Sequence, residues 1–136
     1  MKQELRNKDT GTPYQRYKKS FFHAIDGIIY AFKYEHNMII ILMATIVVIL
    51  IGIMLKISVI EWLICTLIIG MIIATELINS AIEAVVDLET TKTHPLAKIA
   101  KDTASSATLI LVIVSIIIGC VIFIPKILLY LWKVSK

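Results

Sequence analysis

Three long apolar runs leave this chain few ways to fold. Met38 to Leu55 carries no formal charge over 18 residues, Trp62 to Thr75 carries none and continues past Glu76 to Ile82, and Thr103 to Pro125 carries none. At about 1.5 Å per helical residue each run can cross a hydrocarbon core of about 30 Å. Soluble proteins of 136 residues do not hold three such runs, and 58% of the residues here are hydrophobic. The expectation is an all-α membrane protein with three transmembrane helices.

The flanks refine that expectation. Residues 1–13 are polar and are expected to be flexible. The start of the chain has no apolar stretch of the kind that a signal peptide needs. From Tyr14 to Tyr34 the apolar residues Tyr17, Phe21, Ile25, Ile28, Ile29 and Phe32 recur at three- and four-residue spacing. That pattern predicts an amphipathic helix over 14–34, lying on a membrane surface. The spans are expected at about 37–56, 61–87 and 102–125, all within a single integral-membrane domain covering 1–136. Asp102 or Thr103 is expected to cap the third helix, and Pro125-Lys126 to end it. Trp62 suits an interfacial anchor. Cys65 and Cys120 fall inside apolar runs and read as small buried hydrophobes without a disulfide.

Charge distribution orients the chain. Ten of the 14 Lys and Arg residues precede the first span or lie between the second and third, and four lie on the other side. The positive-inside rule therefore places the N-terminus and the loop from Leu88 to Asp102 in the cytoplasm, in a multi-pass protein of the cell membrane. Because the basic residues flank membrane spans, nucleic acid is not the expected partner.

Within the second span, Glu76, Asn79, Glu83 and Asp87 share one side of the helix, within about 80° of arc. Carboxylates at membrane depth are costly and mark functional sites. With Trp62 at the outer boundary, Glu76 lies about 8 Å inside the hydrocarbon and Asp87 in water. Such a graded stripe allows a membrane-dissolved substrate to meet a water-soluble one. Glu35 enters at the same level from the first span, and Lys101 and Asp102 enter from the third. Carboxylates with an amide and a lysine suit a Mg²⁺–polyphosphate site, since Mg²⁺ takes one or two carboxylates and fills its shell with phosphate oxygens and water. Lysine neutralises charge on a transferred phosphoryl group. The five glycines are scattered, so no Walker or protein-kinase glycine loop is present.

The stretch Glu76-Leu77-Ile78-Asn79-Ser80-Ala81-Ile82-Glu83-Ala84-Val85-Val86-Asp87 resembles the signature of the prokaryotic diacylglycerol kinase family. Lys101-Asp102 followed by Ala104-Ser105-Ser106-Ala107, Glu35 before the first span and Gly27 upstream resemble it too. The likeness runs from about Arg16 to Pro125. Glu35-His36-Asn37, Glu61-Trp62, His94-Pro95-Leu96-Ala97-Lys98 and Phe123-Ile124-Pro125-Lys126 look more like the undecaprenol kinase branch. The resemblance implies a homotrimer with shared active sites that transfers the γ-phosphoryl of ATP to a lipid hydroxyl with Mg²⁺. It implies Glu76 as catalytic base, Glu35 and Glu83 as metal ligands, and Arg16, Lys101 and Asp102 as nucleotide contacts. Asn79 and Asp87 match positions lining the nucleotide site. His23 and Lys92-Thr93-His94 align with nucleotide-contacting positions but differ from the family in residue type. Ser105, with Glu76, is assigned to the lipid substrate.

Two other readings compete with undecaprenol phosphorylation. One keeps the enzyme class and has diacylglycerol as the acceptor. In a different class, Glu76 would be the carrier carboxylate of a small proton-coupled transporter, which would want access from both sides of the membrane. The polar cluster here sits at one face.

Overall fold

The computed structural model describes residues 12–90, 92 and 94–135, and all of its regular elements are helices. They are α1 (Pro13–Tyr34), α2 (His36–Met54), α3 (Val59–Glu89) and α4 (Pro95–Val134). One compact unit ends at Tyr34 and a second begins at Glu35.

The first unit contains α1. Thr12 and Gln15 start it with reciprocal bonds, Thr12 N donating to Gln15 Oε1 at 3.0 Å and Gln15 N to Thr12 Oγ1 at 3.4 Å. Pro13 takes the first helical position, where its missing N–H costs nothing. Near the C-terminal end the Tyr30 and Tyr34 rings lie 4.7 Å apart, and Lys33 Nζ sits 5.2 Å from the Tyr34 centroid.

The second unit is built from α2, α3 and α4, each long and apolar enough to cross a membrane. α3 packs chiefly on α4 and to a lesser extent on α2. Cys65, Ile68, Ile72, Glu76 and Asn79 of α3 are buried. Their three- and four-residue spacing makes one inward seam, apolar for three positions and then polar for two. Two ion pairs link the antiparallel helices α3 and α4, Glu61 with Lys126 at one end and Asp87 with Lys101 at the other.

The α2–α3 connection is closed by backbone bonds. Lys56 N donates to Ile53 O at 3.2 Å and Ile57 N to Gly52 O at 3.1 Å, the paired bonds of a Schellman ending. Lys56 occupies its left-handed position with φ 50°. A Cβ on Gly52 would lie 2.8 Å from Trp62 Cη2, so glycine lets that indole pack against α2. Trp62 is accordingly half-buried beside Ile57, Cys65 and Ile122. Ser58 then caps α3, with Ser58 N donating to Glu61 Oε2 at 2.6 Å and Glu61 N to Ser58 Oγ at 3.3 Å.

The ends of α4 depart from the sequence expectation. The helix begins at Pro95, not at Asp102 or Thr103: His94 Nδ1 accepts from Leu96 N at 3.2 Å, and Pro95 occupies the first position, where proline is tolerated. Nor does it stop at Pro125, which lies inside a helix continuing to Val134. Proline removes one hydrogen bond, whereas leaving the helix in an apolar setting would strand several backbone groups.

Candidate active site

Along α3 the polar stripe runs from buried to exposed. Glu76 is 1% exposed and Asn79 4%, Glu83 is half-buried and Asp87 exposed. Each member has a defined neighbour. Asn37 Nδ2, from the first turn of α2, donates to Glu76 Oε1 at 2.8 Å. Asn79 Nδ2 donates to Glu83 Oε1 at 3.0 Å, one turn further along α3. Lys101 Nζ of α4 donates to Asp87 Oδ1 at 2.6 Å.

The polar groups at this end are not fully used up. Asn79 Oδ1 is buried and has no hydrogen-bond partner. A buried amide oxygen left unpaired costs free energy on the order of 1–3 kcal/mol, so it marks a place for a donor or a cation. Glu35 is the N-cap residue of α2, yet its carboxylate makes no capping bond. Among the described residues, no three His, Cys, Asp or Glu side chains gather into a metal cluster.

Where α3 gives way to α4 a cleft of about 650 Å³ opens, lined by Asp87, Lys92, His94, Lys98, Lys101 and Asp102 among others. The structure thus brings five of the expected nucleotide contacts to one cleft: Asp87, Lys92, His94, Lys101 and Asp102. Thr93 lies outside the described residues. Ser105 is exposed, and its hydroxyl donates to the Asp102 carbonyl at 3.2 Å. Arg16 and His23 belong to α1, where His23 Nδ1 lies 3.9 Å from Asp26 Oδ2.

Sequence reasoning missed Asn37 as a partner of Glu76 and named it only in the stretch that resembles the undecaprenol kinase branch. The signal was present: an amide at the level of Glu76, two residues after Glu35. It also missed His94 as the cap of α4, having placed that cap at Asp102 or Thr103.

These features define a class, a helical membrane protein whose acid, amide and lysine side chains converge at one end of three spans beside a cleft. Residues 22–123 match the prokaryotic diacylglycerol kinase family. The chain is 43% identical over 120 residues to the undecaprenol kinase of Bacillus subtilis (strain 168), covering 88% of this chain and 98% of that protein. It is 36% identical over 110 residues to a diacylglycerol kinase of Synechocystis sp., covering 80% of this chain and 63% of that protein. A diacylglycerol kinase of Helicobacter pylori (strain J99) is 38% identical over 97 residues, covering 71% of this chain and 76% of that protein. The chain belongs to the prokaryotic diacylglycerol kinase family and is a lipid kinase. As a kinase it uses ATP, and the transporter reading falls away.

Proposed function

We propose that this protein transfers the γ-phosphoryl group of ATP to the hydroxyl of undecaprenol, giving undecaprenyl phosphate at the cytoplasmic face of the cell membrane. The observation that carries the reading is the placement of Glu76. It is a buried carboxylate on the inner seam of α3, about three helical turns before Asp87, which lines the lysine- and aspartate-containing cleft. A lipid alcohol reaches such a group from the bilayer while a nucleotide reaches the cleft from water. The near full-length match to an undecaprenol kinase favours undecaprenol. The diacylglycerol kinases among the relatives make diacylglycerol the second acceptor to test.

In this reading Glu76 takes the proton of the acceptor hydroxyl as its oxygen bonds to the γ-phosphorus and ADP leaves. Lys101 neutralises charge on the moving phosphoryl group. Its pairing with Asp87 is labile, since the Asp87 side chain is 65% exposed and exposed pairs contribute only about 0–1 kcal/mol. Asp87, Asp102, Lys92 and His94 surround the nucleotide, with Thr93, Arg16 and His23 as further contacts, and Ser105 meets the lipid. Glu83, Glu35 and the unpaired Asn79 Oδ1 are hard oxygen donors, the ligand type Mg²⁺ takes, and they would hold it. The bound ion would neutralise phosphate charge.

The assembly proposed is a homotrimer with sites shared between subunits. Only 11%, 22% and 6% of the apolar windows of α2, α3 and α4 are buried, which leaves wide faces for lipid and for neighbouring copies. Ala81, Ala84, Ser105, Ser106 and Ala107 permit close helix contact. α1 is proposed to lie as an amphipathic helix on the cytoplasmic surface, with Lys18 and Lys19 toward anionic lipid. The whole chain, 1–136, is proposed to act as one integral-membrane lipid kinase domain.

Transfer of radiolabelled phosphate from ATP to undecaprenol and to diacylglycerol, side by side in detergent micelles, tests the substrate. Preference for undecaprenol is expected, and preference for diacylglycerol overturns that half of the reading. Glu76→Gln should abolish turnover while ATP still binds; near-normal activity removes Glu76 from the base role.

A further inference from the structure

Glu76 is held from another helix. Its Oε1 accepts from Asn37 Nδ2 at 2.8 Å, and no other hydrogen bond is made to the Glu76 carboxylate among the described residues; the Ser80 hydroxyl bonds only the Glu76 backbone carbonyl. A carboxylate has two oxygens, and fixing one leaves the second to meet a proton. Held in this way, the carboxylate cannot turn freely about its terminal torsion, which is otherwise broad. Glu76 is 1% exposed, so water does not supply the missing constraint. Asn37 is well suited to the task. Its amide donates a directional hydrogen bond without bringing a charge.

The location of Asn37 adds a second point. It lies in the first turn of α2, two residues after Glu35, whose carboxylate is free of capping duty. One helix start therefore carries both the group that steers the base and a carboxylate proposed for the metal. Any displacement of that turn moves both together.

We infer that Asn37 is a positioning residue for phosphoryl transfer: it orients the Glu76 carboxylate so that Oε2 faces the acceptor hydroxyl. The inference rests on Glu76 being the base. It asks more of the chain than that reading does, since a base can act without a dedicated orienting group.

The test uses full-length protein in micelles and four variants: Asn37→Leu, Asn37→Ser, Asn37→Gln and Glu76→Gln. Leucine removes the donor at similar volume, and serine is polar but too short to reach. Both should lower kcat by roughly 10- to 100-fold, the usual effect of losing an outer-shell partner, with the KM for ATP within about twofold of the parent. Asn37→Gln keeps the amide and should recover part of kcat. The infrared carboxylate band that disappears in Glu76→Gln should shift in Asn37→Leu and Asn37→Ser, which a role confined to packing would not produce. If Asn37→Leu fails to fold, Asn37→Ser decides alone. Inactive Glu76→Gln beside parental kcat in Asn37→Leu or Asn37→Ser overturns the positioning role and leaves the base assignment standing. Active Glu76→Gln overturns both.

Discussion

The two ends of the three-helix unit use polar residues in opposite ways. At the hairpin end, Lys56 and Ile57 complete a Schellman ending, Ser58 and Glu61 cap α3 reciprocally, and Lys126 Nζ closes on Glu61 Oε2 at 3.2 Å. Every one of those groups is occupied by another part of the same chain. At the opposite end, Asn79 Oδ1 is unpaired, the Glu35 carboxylate caps nothing, and Lys101 rests on an exposed aspartate beside a large cleft. Folding alone has no reason to leave a buried amide oxygen unsatisfied. The contrast separates residues that hold the bundle together from residues kept available for a ligand.

That contrast makes measurable demands. The largest effect is expected at the open end, where Lys101→Met should reduce kcat by roughly 100- to 1,000-fold, the scale of losing one charge-stabilising donor. Its thermal inactivation midpoint should barely move. A large loss of thermal stability would show that the Asp87 pair is structural and would erase the distinction. Next, Gly52→Ala at the closed end should destabilise by about 1–3 kcal/mol, because the new methyl overlaps Trp62. Heat inactivation would be earlier, with kcat of the folded protein unchanged. Ser58→Ala follows at about 1 kcal/mol through loss of the cap, again without a kinetic effect. A kcat loss there to match that of Lys101→Met would break the comparison outright. The smallest effect has the opposite sign: Lys56→Gly should stabilise by up to about 1 kcal/mol, because glycine takes the left-handed conformation without steric cost. Unchanged or reduced stability would mean that the Lys56 side chain contributes more than its backbone strain costs.

Much of the site was legible because depth and helical phase both follow from counting. Glu76 to Asp87 share a face by periodicity alone, and the rise per residue orders them along the helix from the apolar run outward. What counting does not supply is the pairing between helices. Asn37 is 39 residues from Glu76, and nothing local in either segment names the other. Local rules also misled where two positions suit one residue. Pro95 ends a helix or begins one, and the choice was made by His94 accepting from Leu96. Pro125 breaks a helix in water, but the apolar run around it gives the chain no better alternative.

The sequence by itself determined three segments that are helical and long and apolar enough to cross a membrane, since long uncharged runs have no other stable solution in lipid, and it placed an acidic stripe near one end. Tertiary structure alone decided which acid is buried and by what it is held. Hydrogen bonds between helices reach only about 3 Å, so they exist only where packing has brought the side chains together, and α2 against α3 is what sets Asn37 beside Glu76.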